Sequence, residues 1–339
     1  MKYIVCEEPF NLLVKDKPMP KIKQGEVLLK LKKAGVCGTD IHAYEGTQPF
    51  FEYPRVLGHE LAAEYAGGAL QGFSIGDKVT IIPYFFCGKC IACRSGQTNC
   101  CEKISVFGVH TDGGLSEYIT VPEAYVISGK GLSYDQLVVV EPLAIAAHGI
   151  RRAGVTHNDT VLVMGLGPIG IGLTEFAKIA GAKKIIALDI NDFRLCYAKN
   201  VQGVDAVINP AKEEVAEALK KITNGDMPTV VIDATGSKKI MNEAFSYISH
   251  GGRYVLVGLQ KDTLSFSHPE FHKREATLMS SRNATNADFD FVIDCLTSGR
   301  IDVSGYITHR LSFGNLTNEF AMVMDKTQNV IKAVIEFDK

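Results

Sequence analysis

The stretch Val161-Leu-Val-Met-Gly165-Leu-Gly167-Pro-Ile-Gly170 decides the fold. An apolar run ends in G-x-G-x-x-G, and a helical pattern, Thr174–Ala180, follows, closed by Gly181. Each glycine has a physical task in such a turn. Gly165 permits the tight bend, Gly167 lets the backbone approach a pyrophosphate, and Gly170 lets the helix pack close to the strand. The free N–H groups and partial positive charge at the helix start favour phosphate. Asp189 closes the next apolar run, Ile185-Ile-Ala-Leu-Asp189, about twenty residues after the loop, where a carboxylate hydrogen-bonds a ribose hydroxyl. That charge repels a 2′-phosphate, so NAD is expected over NADP. Arg194, five residues on, can stack on an adenine or admit a 2′-phosphate.

Working outward, strand-like and helical runs keep alternating. Glu213–Ile222 places Val215, Leu219 and Ile222 on one helical face, and Val230–Ile232 and Tyr254–Val257 continue the strands. Alternation of this kind predicts an α/β domain: a doubly wound parallel sheet with helices on both faces. Before it, short apolar runs broken by Gly and Pro, such as Val27–Leu31, Val79–Ile82 and Tyr118–Val121, predict an irregular β domain. After about Met279 the alternation stops, and the tail is expected to return to the first domain.

Two clusters carry metal chemistry. Cys87, Cys90, Cys93 and Cys101 stand at C-x2-C-x2-C-x7-C, a full tetrahedral thiolate set for one structural Zn²⁺ with no open position. Cys100 breaks the spacing and is read as a bystander. Cys37, in Gly35-Val-Cys37-Gly-Thr39-Asp40-Ile-His42, and His59-Glu60 offer a thiolate, an imidazole and a carboxylate for a second, open site. The third ligand is either Glu60 or Glu141, in Val140-Glu141-Pro142. Zinc suits these donors, and ligand type alone leaves Mn²⁺ or Co²⁺ as alternatives there. Cys6, Cys196 and Cys295 are read as core residues.

At 339 residues the chain has room for two cores, and 46% hydrophobic with 22% charged residues is an ordinary globular balance. A net charge of -2 gives no global field for nucleic acid or an anionic membrane. No apolar run is long enough for a membrane span, and the start, MKYIVCEEPF, lacks a signal-peptide stretch. Nine cysteines, four at metal spacing, suit a reducing compartment, so a cytoplasmic protein is expected.

The Gly58-His59-Glu60 segment, the Cys37-Gly-Thr39-Asp40-Ile-His42 loop and the four-cysteine lobe together resemble the zinc-dependent medium-chain dehydrogenases: the alcohol, polyol and threonine dehydrogenase group. The resemblance covers nearly the whole chain. Ala63 stands where the family usually has Gly, a mild departure. The resemblance implies a GroES-like catalytic domain at 1–146 with a structural-zinc lobe at about 84–104. It implies an NAD-binding Rossmann domain at 147–278 and a return to the catalytic domain at 279–339. It implies one catalytic and one structural zinc per chain, NAD, a small-molecule substrate, and a homodimer or homotetramer.

A Glu at 141, where alcohol dehydrogenases carry a second Cys ligand, resembles the polyol branch. There Cys37, His59 and Glu60 would be ligands, with Glu141 an alternate ligand or a holder of water. The resemblance also implies hydride transfer from a secondary alcohol, the proton passing from Thr39 through the cofactor ribose to His42. Asp40 would fix the loop. Residues around Cys101, Gly108-Val-His110-Thr-Asp-Gly-Gly114 and Ser281-Arg282-Asn283-Ala-Thr285 are most similar to bacterial sugar-acid dehydrogenases, which implies L-galactonate or a related aldonate. Arg282, Lys273 and His110 are candidates to meet its carboxylate, and Asn283 to grip it; Phe50 and Phe51 could line the pocket. Sorbitol/L-iditol-type polyols, hexitol phosphates and L-threonine are the alternatives.

Overall fold

The computed structural model describes residues 1–48 and 51–337. They form two compact units: Met1–Ala144 with Ala284–Lys339, and Ile145–Asn283.

The first unit is built on a seven-stranded sheet. Its strand order is Ile307–Ser312, Lys332–Glu336, Glu26–Gly35, Glu60–Gly67, Lys78–Ile81 and Val126–Ser128, with Tyr118–Pro122 also paired to Glu26–Gly35. Val27, Leu29 and Leu31 alternate inward along the central strand and meet Leu61, Ala63, Val79, Ile81 and Ile335 in one core. Register shifts against Glu60–Gly67 bend this strand. At its far end Gly35 pairs with Glu60 on one side and with Val334 on the other. Three neighbouring strands therefore bring Cys37, Glu60 and Lys332 to the same end of the sheet.

The second unit is a six-stranded parallel sheet in the order Ala206–Ile208, Lys184–Leu188, Thr160–Met164, Val230–Asp233, Arg253–Leu256 and Thr277–Ser280. The chain starts in the middle, builds one side, then reverses to build the other. The reversal lies between Thr160–Met164 and Val230–Asp233, where such sheets bind ligands at the carboxyl ends of their strands. Leu162, Met164, Ile186, Leu188, Ile208 and Val231 form the core beneath it.

The helix after the glycine loop begins at Pro168, not Thr174, and runs to Ile179. Gly167 caps it and Pro168 takes the first position, where a missing N–H costs nothing. Met279, expected to begin the return to the first domain, lies inside the last parallel strand. That strand is short and mostly exposed, so it shows no buried alternation in sequence. Cys6 and Cys295 are buried as expected, but Cys196 is exposed. Its helix, Asp192–Tyr197, buries Leu195 and turns the neighbouring thiol outward. Among the described residues no helix is long and apolar enough to cross a membrane.

Candidate active site and metal centres

Cys37, His59 and Glu60 bring ligand atoms within 4.8 Å of one another. Cys37 is the N-cap of the helix Gly38–Tyr44, and His59-Glu60 open the strand Glu60–Gly67. One buried carboxylate ties the two segments together. Asp40 accepts from the Cys37 amide through Oδ2 at 2.9 Å and from the Gly58 amide through Oδ1 at 3.2 Å. The same Oδ1 lies 3.8 Å from His59 Nδ1. This ring nitrogen is buried with no hydrogen-bond partner among the described residues.

Burial alone would lower the His59 pKa. The charges of Cys37, Asp40 and Glu141 overcome that and hold it well above the usual range. A buried nest of anionic donors that draws in positive charge, with an imidazole oriented by a carboxylate behind it, fits a divalent metal of the zinc type.

Two more groups flank this cluster. Lys332, fully buried, donates through Nζ to Glu60 Oε2 and, at 3.0 Å, to the Val36 carbonyl. Gly35 makes room for the pair, since a Cβ there would stand 1.9 Å from Glu60 Oε2 and 3.0 Å from Lys332 Cε. Glu141 stands outside the three-residue group and accepts from the Tyr84 hydroxyl through Oε1. Burial pushes its pKa up to about 7, helped by the charge of Glu60 and opposed by His59, Tyr84 and Lys332. Sequence reading missed Lys332 and Tyr84. A lysine between Ile331 and Ala333 was the available signal, because a charge inside an apolar run needs a partner if it is buried.

Thr39 is half-buried in the first turn of the Gly38–Tyr44 helix. His42, on the last turn, is exposed, with Nδ1 3.1 Å from Thr47 Oγ1 and 3.7 Å from Glu45 Oε2. His110 is exposed too, and its Nδ1 accepts from the Val106 amide at 2.9 Å. Arg282 and Asn283 close the second unit. Arg282 is exposed, and Asn283 takes a left-handed backbone with φ +52°. Lys273 is occupied by Glu270 at 2.7 Å. Phe50 lies outside the described residues, and Phe51 packs on the first core, 4.9 Å from the Tyr53 ring.

The four sulfurs of Cys87, Cys90, Cys93 and Cys101 also lie within 4.8 Å of one another. Backbone amides point at them: Lys89 to Cys87 at 3.4 Å, Lys103 and Cys87 to Cys101 at 3.3 Å. The Lys89 amide and the neighbouring donors lower the Cys87 pKa to about 6, while burial and the neighbouring thiols push Cys93 up to about 12, so a bound cation is what would bring the whole set to thiolate. This lobe could hold a structural zinc. Cys100 is exposed beside it.

In the second unit, Gly165 has φ +85°, and a Cβ at Gly170 would lie 1.7 Å from the Gly165 carbonyl oxygen. Gly167 faces open space apart from Arg194 Nη1 at 4.0 Å. Asp189 is buried at the end of the neighbouring strand. It accepts from the Leu166 amide at 2.6 Å and the Asn191 amide at 2.8 Å. Arg194 Nη1 lies 3.9 Å from the same carboxylate. Residues 165–170 and Asp189 thus form one connected dinucleotide-type loop.

Residues 23–131 match the alcohol dehydrogenase GroES-like domain, and residues 168–298 match the zinc-binding dehydrogenase domain. The chain is 42% identical over 339 residues to an L-galactonate-5-dehydrogenase of Escherichia coli K12, covering 99% of each chain. It is 33% identical over 300 residues to an L-threonine 3-dehydrogenase of Pyrococcus horikoshii, 86% of each. A solved alcohol dehydrogenase of E. coli CFT073, complexed with NADH, superposes with a TM-score of 0.92 at 33% identity over 99% of both chains. The chain therefore belongs to the zinc-type medium-chain alcohol dehydrogenase family, and it is an oxidoreductase with the NAD dependence typical of that family.

Proposed function

We propose that the chain oxidises a secondary hydroxyl of a sugar acid, L-galactonate or a related aldonate, with NAD as acceptor. The observation that carries the reaction class is the buried meeting of Cys37, His59 and Glu60, with the Asp40 carboxylate behind the imidazole. When bound, zinc supplies Lewis acidity toward a substrate oxygen and NAD supplies the hydride acceptor. Cys37, His59 and Glu60 would hold the metal, one thiolate and one carboxylate offsetting its charge. Glu141 stands beside them as a further carboxylate. Thr39 accepts the hydroxyl proton as it passes its own on, and His42, exposed on the same helix, is the group that would release the proton to solvent. The 165–170 loop holds the pyrophosphate of NAD, and Asp189 meets the ribose hydroxyls while disfavouring a 2′-phosphate.

Likeness over the full chain to an L-galactonate-5-dehydrogenase supports the aldonate substrate. Arg282 and Asn283 in the second unit, and separately His110 in the first, are the candidates for contact with the substrate; Lys273, already paired, is set aside. Likeness to an L-threonine 3-dehydrogenase supports a second reading, oxidation of the threonine hydroxyl by the same machinery. The test is NADH formation across aldonates, hexitols, pentitols, hexitol phosphates and threonine, with NAD⁺ and NADP⁺, before and after chelation. Aldonate turnover that is lost on chelation and restored by Zn²⁺ is the expected result. Turnover of threonine or neutral polyols alone would overturn the substrate.

A further inference from the structure

We propose that Tyr84 is a positioning residue of the open metal site. Its hydroxyl, carried on the stem of the cysteine lobe, holds the Glu141 carboxylate beside Cys37, His59 and Glu60. The inference rests on the functional reading above for the role of Glu141, and on geometry for the bond itself.

Tyr84 begins the two-residue strand Tyr84–Phe85, which pairs antiparallel with Ser105–Val106. All four lobe cysteines lie between these two strands, so the pair is the stem from which the lobe hangs. The stem is held on several sides. The Ile82 amide donates to the Tyr125 carbonyl at 2.9 Å, the Phe86 amide to the Tyr125 hydroxyl at 3.0 Å, and the Phe107 amide to the Pro83 carbonyl at 2.9 Å. The Phe85 ring packs 4.5 Å from that of Tyr125. Tyr84 itself points inward. It is 4% exposed, its ring lies 6.2 Å from Phe289, and its hydroxyl donates to Glu141 Oε1.

Packing does not explain that hydroxyl. A phenylalanine would fill the same space with no polar group to desolvate. The two carboxylates near the metal cluster also have partners of different kinds. Glu60 faces the Lys332 ammonium, which compensates its charge. Glu141 faces a neutral phenol, which fixes one oxygen and leaves the other for a cation or a polarised water. The phenol orients where the ammonium neutralises.

The test uses the full-length, zinc-loaded protein as wild type, Tyr84→Phe, Glu141→Gln and the double variant. Release of zinc to a chromogenic chelator is followed, together with the visible absorption of the cobalt-substituted forms. The expected result is a folded Tyr84→Phe that keeps the lobe metal and its thermal midpoint. Its open-site metal is held about 10- to 100-fold more weakly, as when a partner of a metal ligand is lost, and its cobalt bands shift. In the Glu141→Gln background the same change adds nothing further. Wild-type metal retention in Tyr84→Phe overturns the proposal. So does an equal further loss in the Glu141→Gln background, or a Tyr84→Phe that does not fold, either of which makes the residue one of packing. If the wild type oxidises none of the tested alcohols while Tyr84→Phe still weakens the metal through Glu141, the functional reading fails and the positioning role stands.

Discussion

Lys332 donates its ammonium proton to the Glu60 carboxylate in a part of the first unit that excludes solvent from both side chains. The pair puts a compensating cation behind a carboxylate of the open metal site. Lys332→Met leaves Glu60 charged, buried and unpaired, a loss of about 3–5 kcal/mol of stability in the metal-free protein. Bound zinc supplies part of the missing positive charge. Denaturation with and without chelator should therefore show a larger penalty in the chelated protein, and Lys332→Met with Glu60→Gln should recover most of it. Equal penalties in the two states would sink this account.

Asp189 has two tasks, since it holds the Leu166 amide of the glycine loop and closes the strand beside it. Asp189→Ser removes a charged acceptor from that loop, a change of about 1.5–3 kcal/mol, or roughly tenfold to hundredfold in KM for NAD. It also removes the repulsion toward a 2′-phosphate. The ratio of kcat/KM for NADP⁺ to that for NAD⁺ should rise. An unchanged ratio would place the discrimination in Arg194 instead.

Cys93→Ser should lower the zinc content by one equivalent per chain and loosen the 87–101 lobe, because a closed thiolate site contributes its binding energy directly to local folding. Protease cutting within residues 87–101 reads this. Unchanged zinc content would mean that the four thiols hold no metal.

Asp135 binds Arg310 in a bidentate pair, at 3.0 and 2.8 Å, and Lys33 at 2.6 Å. The Arg310 guanidinium first, and Lys33 after it, hold its pKa at about 2 against an ordinary 3.8. For a carboxylate with a depressed folded value, the stabilisation is complete above the unfolded value and disappears as pH falls from 3.8 toward about 2. Both side chains are more than a third exposed, and solvent screening limits the effect to about 1 kcal/mol or less. Asp135→Asn should be less stable than wild type at neutral pH and indistinguishable from it near the bottom of that window. A difference that persists there would be a packing effect.

The parts of the site written in one short segment were legible in the sequence. Gly165, with its positive φ, and Gly170, which would crowd the Gly165 carbonyl, each meet a local demand that no other residue type meets, while Gly167 leaves open space over the loop. The four lobe cysteines announce themselves by spacing alone. The charge of Lys332 in an apolar run was a signal, but its partner was not legible, being 272 residues away and brought to it only by strand pairing. Tyr84 reads in sequence as one aromatic among several in Tyr84-Phe85-Phe86. Only the fold shows that its hydroxyl faces inward to Glu141. Cys196 misled for a simpler reason: a lone thiol carries no periodic signal saying which side of a short helix it occupies.

Asp40 spans the amides of Cys37 and Gly58, and both bonds are ordinary hydrogen bonds between protein atoms. The distance between the thiol and the imidazole is therefore set by the polypeptide itself. At the open site, unlike the 87–101 lobe, folding and charging with metal become separable events.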